Sequence, residues 1–489
     1  MAGTAGDSAI LDYYGDAGAV WSGYLEAAVV ATLGTLASNS NSRKVSVIVG
    51  LGKTGLSCAR YLAAKGEDFM VVDSRLDPPG LDQMQNQFPH VKVELGDFQV
   101  ATFVNARLLI VSPGVSLDEE AIRSAIDADV PITGDIDIFS RVVNAPLVAV
   151  TGSNGKSTVV SLVAEICQQA GISFGLGGNL EAEHAFPALD LLQEPDREIY
   201  ILELSSFQLE TTSELGAEVA VILNLSEDHM DRYSDLDAYL RAKQRIFNGA
   251  HKIVVNRDSD FSRPPSPVDE GMIEFGLQEP EPGVFGIRQV AGEEWLAYGD
   301  SNLVRTSSLK IFGKHNFSNV LAAMAISEAL GVNLELAASA AERFAGLPHR
   351  CQWVAQVDGV DFYNDSKGTN VGATVAAVEG LGQKLSGKVV LIAGGVGKGA
   401  DFSPLHPVVK RYASSVVLLG SAATELAGLF KGLVPVFCAG DMCEAVAAAR
   451  TEAEAGDAVL LSPACASFDM FDNFVHRGQQ FIDEVGRLQ

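Results

Sequence analysis

Short apolar runs punctuate this chain, and each stops at a glycine, a small polar residue or an acid. Val45-Ser46-Val47-Ile48-Val49 ends at Gly50-Leu51-Gly52-Lys53-Thr54-Gly55, Phe69-Met70-Val71-Val72 at Asp73, and Leu108-Leu109-Ile110-Val111 at Ser112-Pro113-Gly114. Leu147-Val148-Ala149-Val150 runs into Thr151-Gly152, Tyr200-Ile201-Leu202 into Glu203, and Val219-Ala220-Val221-Ile222-Leu223 into Asn224. Further on, Val360-Asp361-Phe362-Tyr363 precedes Asn364, Val389-Val390-Leu391-Ile392-Ala393 precedes Gly394-Gly395, and Ala458-Val459-Leu460-Leu461 precedes Ser462-Pro463. Strand-like runs alternating with helical patterns predict an α/β protein of parallel sheets covered by helices. Ligands of such sheets collect at the carboxyl ends of the strands, so the residues that close each run are the candidate chemistry.

A chain of 489 residues is too long for one core, and its 47% apolar content can fill roughly three. The expected divisions are an extension of unknown role at 1–43, then domains at 44–135, 136–346 and 347–489. Asp and Glu number 62 against 35 Lys and Arg, a formal charge of −27, which argues against non-specific binding to nucleic acid or anionic membranes. No apolar stretch has transmembrane length, and no basic segment precedes the mildly apolar Ala27 to Ala37, so neither stable membrane insertion nor a signal peptide is expected. The six cysteines form no CxxC, which fits a reduced cytoplasmic protein with core thiols. A monomer is expected.

Thr151-Gly152-Ser153-Asn154-Gly155-Lys156-Ser157-Thr158 follows a strand and opens a helix. Its glycines let backbone N–H groups turn toward phosphate oxygens, Lys156 can neutralise the outer phosphates, and a hydroxyl can ligate Mg²⁺. Gly152 and Gly155 lie closer together than in the usual GxxxxGK[ST] loop. Glu203, an acid at a strand end near this loop, suits Mg²⁺. Asn224, Asp228 and His229 form a second polar cluster after a strand of the same unit. Gly50 to Gly55 with Asp73 has the form of a dinucleotide fingerprint, which keeps an NAD-dependent oxidoreductase in view. The triphosphate cradle weighs against it. Lys243, between Arg241 and Arg245 in a helical stretch, reads by composition as a surface cation. Cys465 has no base beside it to make it a nucleophile.

The strings TGSNGKST, ELSSFQLE, NLSEDHMDRY, YLRAKQRIF, GKHNFSN, LPHR, NDSKGTN and SPACASFD occur here in the order seen in the Mur ligases. From about residue 44 onward the chain resembles that family, and ELSSFQLETTS, EDHMDRY, GLPHR and NDSKGTNVGAT resemble its D-glutamate-adding branch. The resemblance implies a UDP-binding Rossmann-like domain, a central P-loop ATPase domain and a C-terminal Rossmann-like domain that binds the amino acid. It implies an ATP-dependent amide ligase of peptidoglycan assembly, joining UDP-N-acetylmuramoyl-L-alanine to D-glutamate through an acyl phosphate. A sibling ligase or a folate polyglutamylating enzyme would share the ATP domain, and a silent nucleotide sensor would share the cradle.

The resemblance also assigns residues. The loop Gly152, Ser153, Asn154, Gly155, Lys156, Ser157 and Thr158, with Asn316, Asn319, Arg350 and Asp365, would hold ATP. Ser157 and Glu203 would take one Mg²⁺, and His229 with a CO₂-derived carbamate on Lys243 a second. Lys156, Glu203, His229 and Lys243 are thus the implied catalytic set. Lys53, Thr54, Asp73, Ser74, Arg75 and Gly114 would grip the UDP moiety, with Asn179, Ser205 and His229 also touching that substrate. Lys367, Thr369, Lys398, Ser467 and Phe474 match D-glutamate contacts. Two places depart from the family pattern: Lys at position 53, and extra residues after Asn179. Residues 260–300 are Pro-rich and carry no assignment.

Overall fold

The computed structural model describes residues 44–180, 185–266 and 271–488; the extension 1–43 and most of the extra residues after Asn179 lie outside them. Three sheets follow one another along the chain. The first is parallel throughout, in the spatial order Val93–Leu95, Phe69–Asp73, Ser46–Val49, Leu108–Val111, Ile132–Thr133. Strand order reverses beside Ser46–Val49, which opens a crevice between its end at Gly50 and the end of Leu108–Val111 at Ser112.

The central sheet has nine strands. Leu147–Thr151 lies inside it, between Ile199–Glu203 and Val219–Ile222, all parallel and wholly buried. Burial on both faces explains why these runs are continuously apolar rather than alternating. Their ends bring Gly152, Leu204 and Leu223 side by side. The Pro-rich stretch proved to be part of this sheet: Met272–Phe275, Val284–Val290, Glu293–Tyr298 and Ser301–Arg305 extend one edge, the last three as an antiparallel meander. The third sheet runs Gln352–Val357, Val360–Asn364, Ala458–Leu461, Val389–Gly394, Ala413–Leu419, Val436–Cys438, with only the first pair antiparallel.

The two inter-sheet boundaries differ in kind. One apolar cluster runs from Ile48, Leu51 and Ile110 through Ile136 and Phe139 to Ala149, Leu202 and Ile222, so the first two sheets share a core. Arg60 adds a two-pronged ion pair to Asp190 across that boundary, at 2.9 and 2.5 Å. The third sheet keeps separate apolar clusters on its two faces. It touches the central domain through Phe312 packed edge-on to Tyr363, through the helix Val371–Lys384, whose Lys384 lies over the Phe312 ring and whose Gly380 lies beside Gly313, and through polar contacts near the phosphate loop. The cysteines correct one expectation. Cys58, Cys167 and Cys465 are buried, but Cys438 and Cys443 are exposed, on the strand and helix at the outer edge of the third sheet.

Candidate active site

The loop Gly152–Gly155 is held from behind by the next strand tip. Ser153 N donates to Asn224 O at 3.0 Å and Asn154 N to Asn224 Oδ1 at 2.9 Å, while Ser153 Oγ accepts from Ser226 N at 3.0 Å. Gly155 sits at φ +84°, and a Cβ there would overlap Asn319 Oδ1, so only glycine lets this helix start pass so close to Asn319. Lys156 Nζ donates to Gly152 O at 2.9 Å and Ser153 O at 3.0 Å. Burial lowers its pKa, and nearby Arg350 adds to this against the opposing pull of Glu203 and Asp228.

Ser157 Oγ lies 2.5 Å from Glu203 Oε2 and accepts from Arg350 Nη2 at 2.7 Å. Asn179 Nδ2 reaches Glu203 Oε1 at 3.3 Å. A hydroxyl and a carboxylate at the start of a helix form the oxygen-donor pair that Mg²⁺ takes alongside phosphate oxygens and water. Among the described residues no group of three or more His, Cys, Asp or Glu could cage a metal by itself.

Lys243 is not the surface cation its neighbours suggest. It is 1% exposed, sits 4.5 Å over the Tyr239 ring, and donates to Gly152 O at 3.0 Å. Burial drives its pKa well below the usual lysine value, and Lys156 pushes it further down. His229 lies on the other side of this aromatic group, 4.8 Å from the Phe207 ring and 6.3 Å from that of Tyr239. Its backbone is left-handed at φ +58°, strain of the kind that collects at functional sites. An amine is a poor ligand for Mg²⁺, so this pair fits a metal only if Lys243 carries an oxygen-donating modification.

A cavity of about 540 Å³ occupies the first crevice, lined by Lys53, Thr54, Asp73, Ser74, Arg75, Gly114 and Asn179. Asp73 accepts from Leu51 N at 2.7 Å and from Arg75 Nε and Nη2 at 2.9 and 2.7 Å. Burial alone would raise its pKa, but these bonds outweigh it and hold the carboxyl below its usual range. Asp73 therefore sets Arg75 in place. Two predicted contacts stand outside this lining. The Ser205 hydroxyl is used to cap the helix Ser206–Glu210, and His229 lies beyond Phe207. Gln208, the capping partner of Ser205, lines the cavity instead and was not foreseen.

A second cavity, of about 430 Å³, lies between the central and third domains. Asn154, Gly155, Thr158, Asn316, Asn319, Arg350 and Asp365 line it, whereas Gly152, Ser153, Lys156 and Ser157 stand just outside. Asp365 accepts from Ser462 Oγ at 2.7 Å and Cys351 N at 3.1 Å, and burial lifts its pKa to about 6. His315 was missed. It lines the same cavity, and burial lowers its pKa to about 4, keeping it neutral. Lys367 also lines this cavity and lies 3.9 Å over the Phe474 ring. The bridge Val396–Ala466 brings the loop of Lys398 beside that of Ser467, and Thr369 N donates to Lys367 O. Arg477, fully buried on an amphipathic helix and unmarked by any motif, ties these loops by donating to Ser366 O and Cys465 O at 2.8 and 3.1 Å. The Cys465 thiol is pushed up to about 12 by burial and is no nucleophile.

Family models match three stretches: Mur ligase MurD-like, N-terminal domain over residues 44–134; Mur ligase middle domain over 150–327; and Mur ligase, glutamate ligase domain over 349–465. A UDP-N-acetylmuramoylalanine–D-glutamate ligase of Pseudomonas fluorescens is 49% identical over 442 residues, 90% of this chain and 98% of that protein. One from Nitrosococcus oceani is 50% identical over 447 residues, 91% and 96% of the two chains. Among solved structures, UDP-N-acetylmuramate-alanine ligase of Thermotoga maritima has a TM-score of 0.59 at 17% identity, covering 91% of this chain and all (100%) of that one. MurF of Acinetobacter baumannii has a TM-score of 0.59 at 17% identity, covering 90% and 92%. These two share the fold.

Proposed function

This chain belongs to the Mur ligase family, and from that premise we propose its reaction: ATP-dependent addition of D-glutamate to UDP-N-acetylmuramoyl-L-alanine, giving ADP and phosphate in peptidoglycan precursor synthesis. The observation that carries the mechanism is the meeting of two domains on one loop, where Ser157 Oγ touches Glu203 from the central sheet and Arg350 from the third domain.

A carboxylate is a poor electrophile, and phosphorylation gives it a leaving group. A carboxylate oxygen of the alanyl end attacks the γ-phosphorus and ADP departs. The D-glutamate amine then attacks the carbonyl carbon and phosphate leaves. The protein's task is to hold two anions and a triphosphate together while cations absorb charge. Lys156 and Arg350 meet the phosphates. Bound between Ser157 and Glu203, with a second site at His229 and Lys243, Mg²⁺ would screen phosphate from carboxylate. Lys243 would serve as a carbamate: its depressed pKa favours the neutral amine that takes up CO₂.

Lys53, Thr54, Asp73, Ser74, Arg75 and Gly114 would hold the UDP group in the first cavity. Asn179 joins that cavity to the metal site, since it lines the one and donates to Glu203 in the other. Asn316, Asn319 and Asp365 would hold adenosine in the second. Lys367 and Lys398, with Thr369, Ser467 and Phe474, would receive D-glutamate, two ammonium groups meeting two carboxylates. Residues 44–135, 136–346 and 347–489 are taken as the three domains. A monomer suffices, because one chain supplies every group named, and a cytoplasmic setting supplies both nucleotides. Among the described residues no helix is long and apolar enough to cross a membrane.

The test is ADP release with UDP-N-acetylmuramoyl-L-alanine and a panel of D-glutamate, L-alanine, L-glutamate and meso-diaminopimelate. Only D-glutamate should support turnover. Preference for another member would move the chain to a sibling activity.

A further inference from the structure

Asn154, in the phosphate loop, and Asn370, in the third domain, form a reciprocal amide pair. Asn370 Nδ2 donates to Asn154 Oδ1 at 3.0 Å, and Asn154 Nδ2 donates to Asn370 Oδ1 at 3.4 Å. Asn370 Nδ2 also lies 3.4 Å from Asp228 Oδ2. The same Asp228 receives Lys398 Nζ at 3.4 Å, so two separate loops of the third domain converge on one carboxylate of the central domain.

On the loop side, Asn154 is fixed by its backbone. Its N–H goes to Asn224 Oδ1 at 2.9 Å, and its carbonyl accepts from Asn224 Nδ2 at 3.0 Å. Its side-chain amide donates both to Ser226 Oγ at 3.4 Å within its own domain and to Asn370 across the boundary. On the far side, Asn370 Oδ1 accepts from Ala373 N at 2.9 Å, capping the helix Val371–Lys384. Both amides are therefore anchored in the rigid framework of their own domain. Gly372, the second residue of that helix, lies where a Cβ would stand 3.2 Å from Ser226 Oγ, so the approach is close.

We infer that Asn370 is a positioning residue: it couples docking of the third domain to the phosphate loop through Asn154 and Asp228, so that the nucleotide is held for transfer only when the amino-acid loops are in place. The inference rests on the reading of this loop as the ATP site. Asn370 touches no reacting atom. Its effect is on how often the assembled arrangement is populated, which lowers kcat rather than binding in the distant first cavity.

Asn370→Asp separates this role from helix capping. Aspartate is as good an N-cap as asparagine, so the helix keeps its acceptor, but both donors are lost and a negative charge is set against Asp228. Asn370→Ser keeps a capping oxygen without the added charge. Both variants should melt within about 2 °C of the parent. The kcat should fall about tenfold or more for Asn370→Asp and less for Asn370→Ser, with KM for the UDP substrate within about twofold. Small-angle scattering with an ATP analogue and both substrates should show compaction in the parent and a smaller change in Asn370→Asp. Parental kcat and compaction in Asn370→Asp would overturn the inference, as would equal losses in kcat and melting temperature in both variants. A parent chain that forms no ADP with the substrates would remove the ligase reading beneath it.

Discussion

Replacing Lys243 by methionine should spare the fold and remove the reaction. The amine is 1% exposed and its hydrogen bonds go to the Gly152 carbonyl and, at 3.4 Å, to the Thr151 hydroxyl, neither of them a counter-ion. Burial and the neighbouring Lys156 hold its pKa well below the usual value, so the folded chain holds this proton less tightly than the unfolded one. The parent's stability therefore rises with pH between the depressed folded value and the ordinary value of about 10.4, and Lys243→Met should lack that slope. An ordinary lysine is neutral in only about 0.4% of molecules at pH 8, and each unit of depression raises that fraction about tenfold until it saturates. Only the neutral amine can attack CO₂. If the resulting carbamate is a metal ligand, its loss should cost at least the roughly 10- to 100-fold seen when outer-shell partners are removed. The assay is ADP release before and after exhaustive removal of CO₂, then with bicarbonate restored. The parent should lose and regain activity; Lys243→Met should be slow throughout, with a melting temperature at or above the parent's. Full parental activity without CO₂, or more than a tenth of that activity in Lys243→Met, would refute the reasoning.

Other expectations concern the loop, the third domain and the first cavity. Gly155→Ala places a Cβ against Asn319 at φ +84°, so urea titration should show a loss of about 1–2 kcal/mol and the KM for ATP should rise. Asp365 titrates near 6 when folded, so its contribution to stability is full below about pH 4 and lost as pH rises through about 6. Asp365→Asn should therefore gain on the parent by up to about 3 kcal/mol between pH 4 and 7 in denaturant titrations, while losing turnover. Lys53 lines the first cavity, whose other cation, Arg75, is already paired with Asp73; Lys53→Ala should raise KM for the UDP substrate about fivefold, and added salt should narrow the gap.

The strand ends were legible because buried parallel strands must be apolar throughout and must stop where ligands need polar groups. Gly152, Glu203 and Asn224 stand at three such ends. The glycine loop was legible for a related reason, since its geometry excludes side chains at Gly155. What stayed hidden depends on contacts between distant segments. Arg241 and Arg245 flank Lys243 in the chain, but the Tyr239 ring and the Gly152 carbonyl bury it, so only the family resemblance singled it out. Arg477 carries no local signal, because its role is set by carbonyls from two other loops. The strands from Met272 onward were hidden by the prolines between them and before them, Pro264, Pro265, Pro280 and Pro282 among them. Ser205 stands in a telling motif, and what the motif did not reveal is that its hydroxyl caps the helix Ser206–Glu210.

The most direct measurement follows one oxygen atom. UDP-N-acetylmuramoyl-L-alanine labelled with ¹⁸O in its alanyl carboxylate should, with ATP and D-glutamate, yield phosphate carrying one ¹⁸O per amide formed, because the activated oxygen leaves with phosphorus. Amide formed with the label in AMP, or with unlabelled phosphate, would contradict activation by γ-phosphoryl transfer at the Lys156 loop.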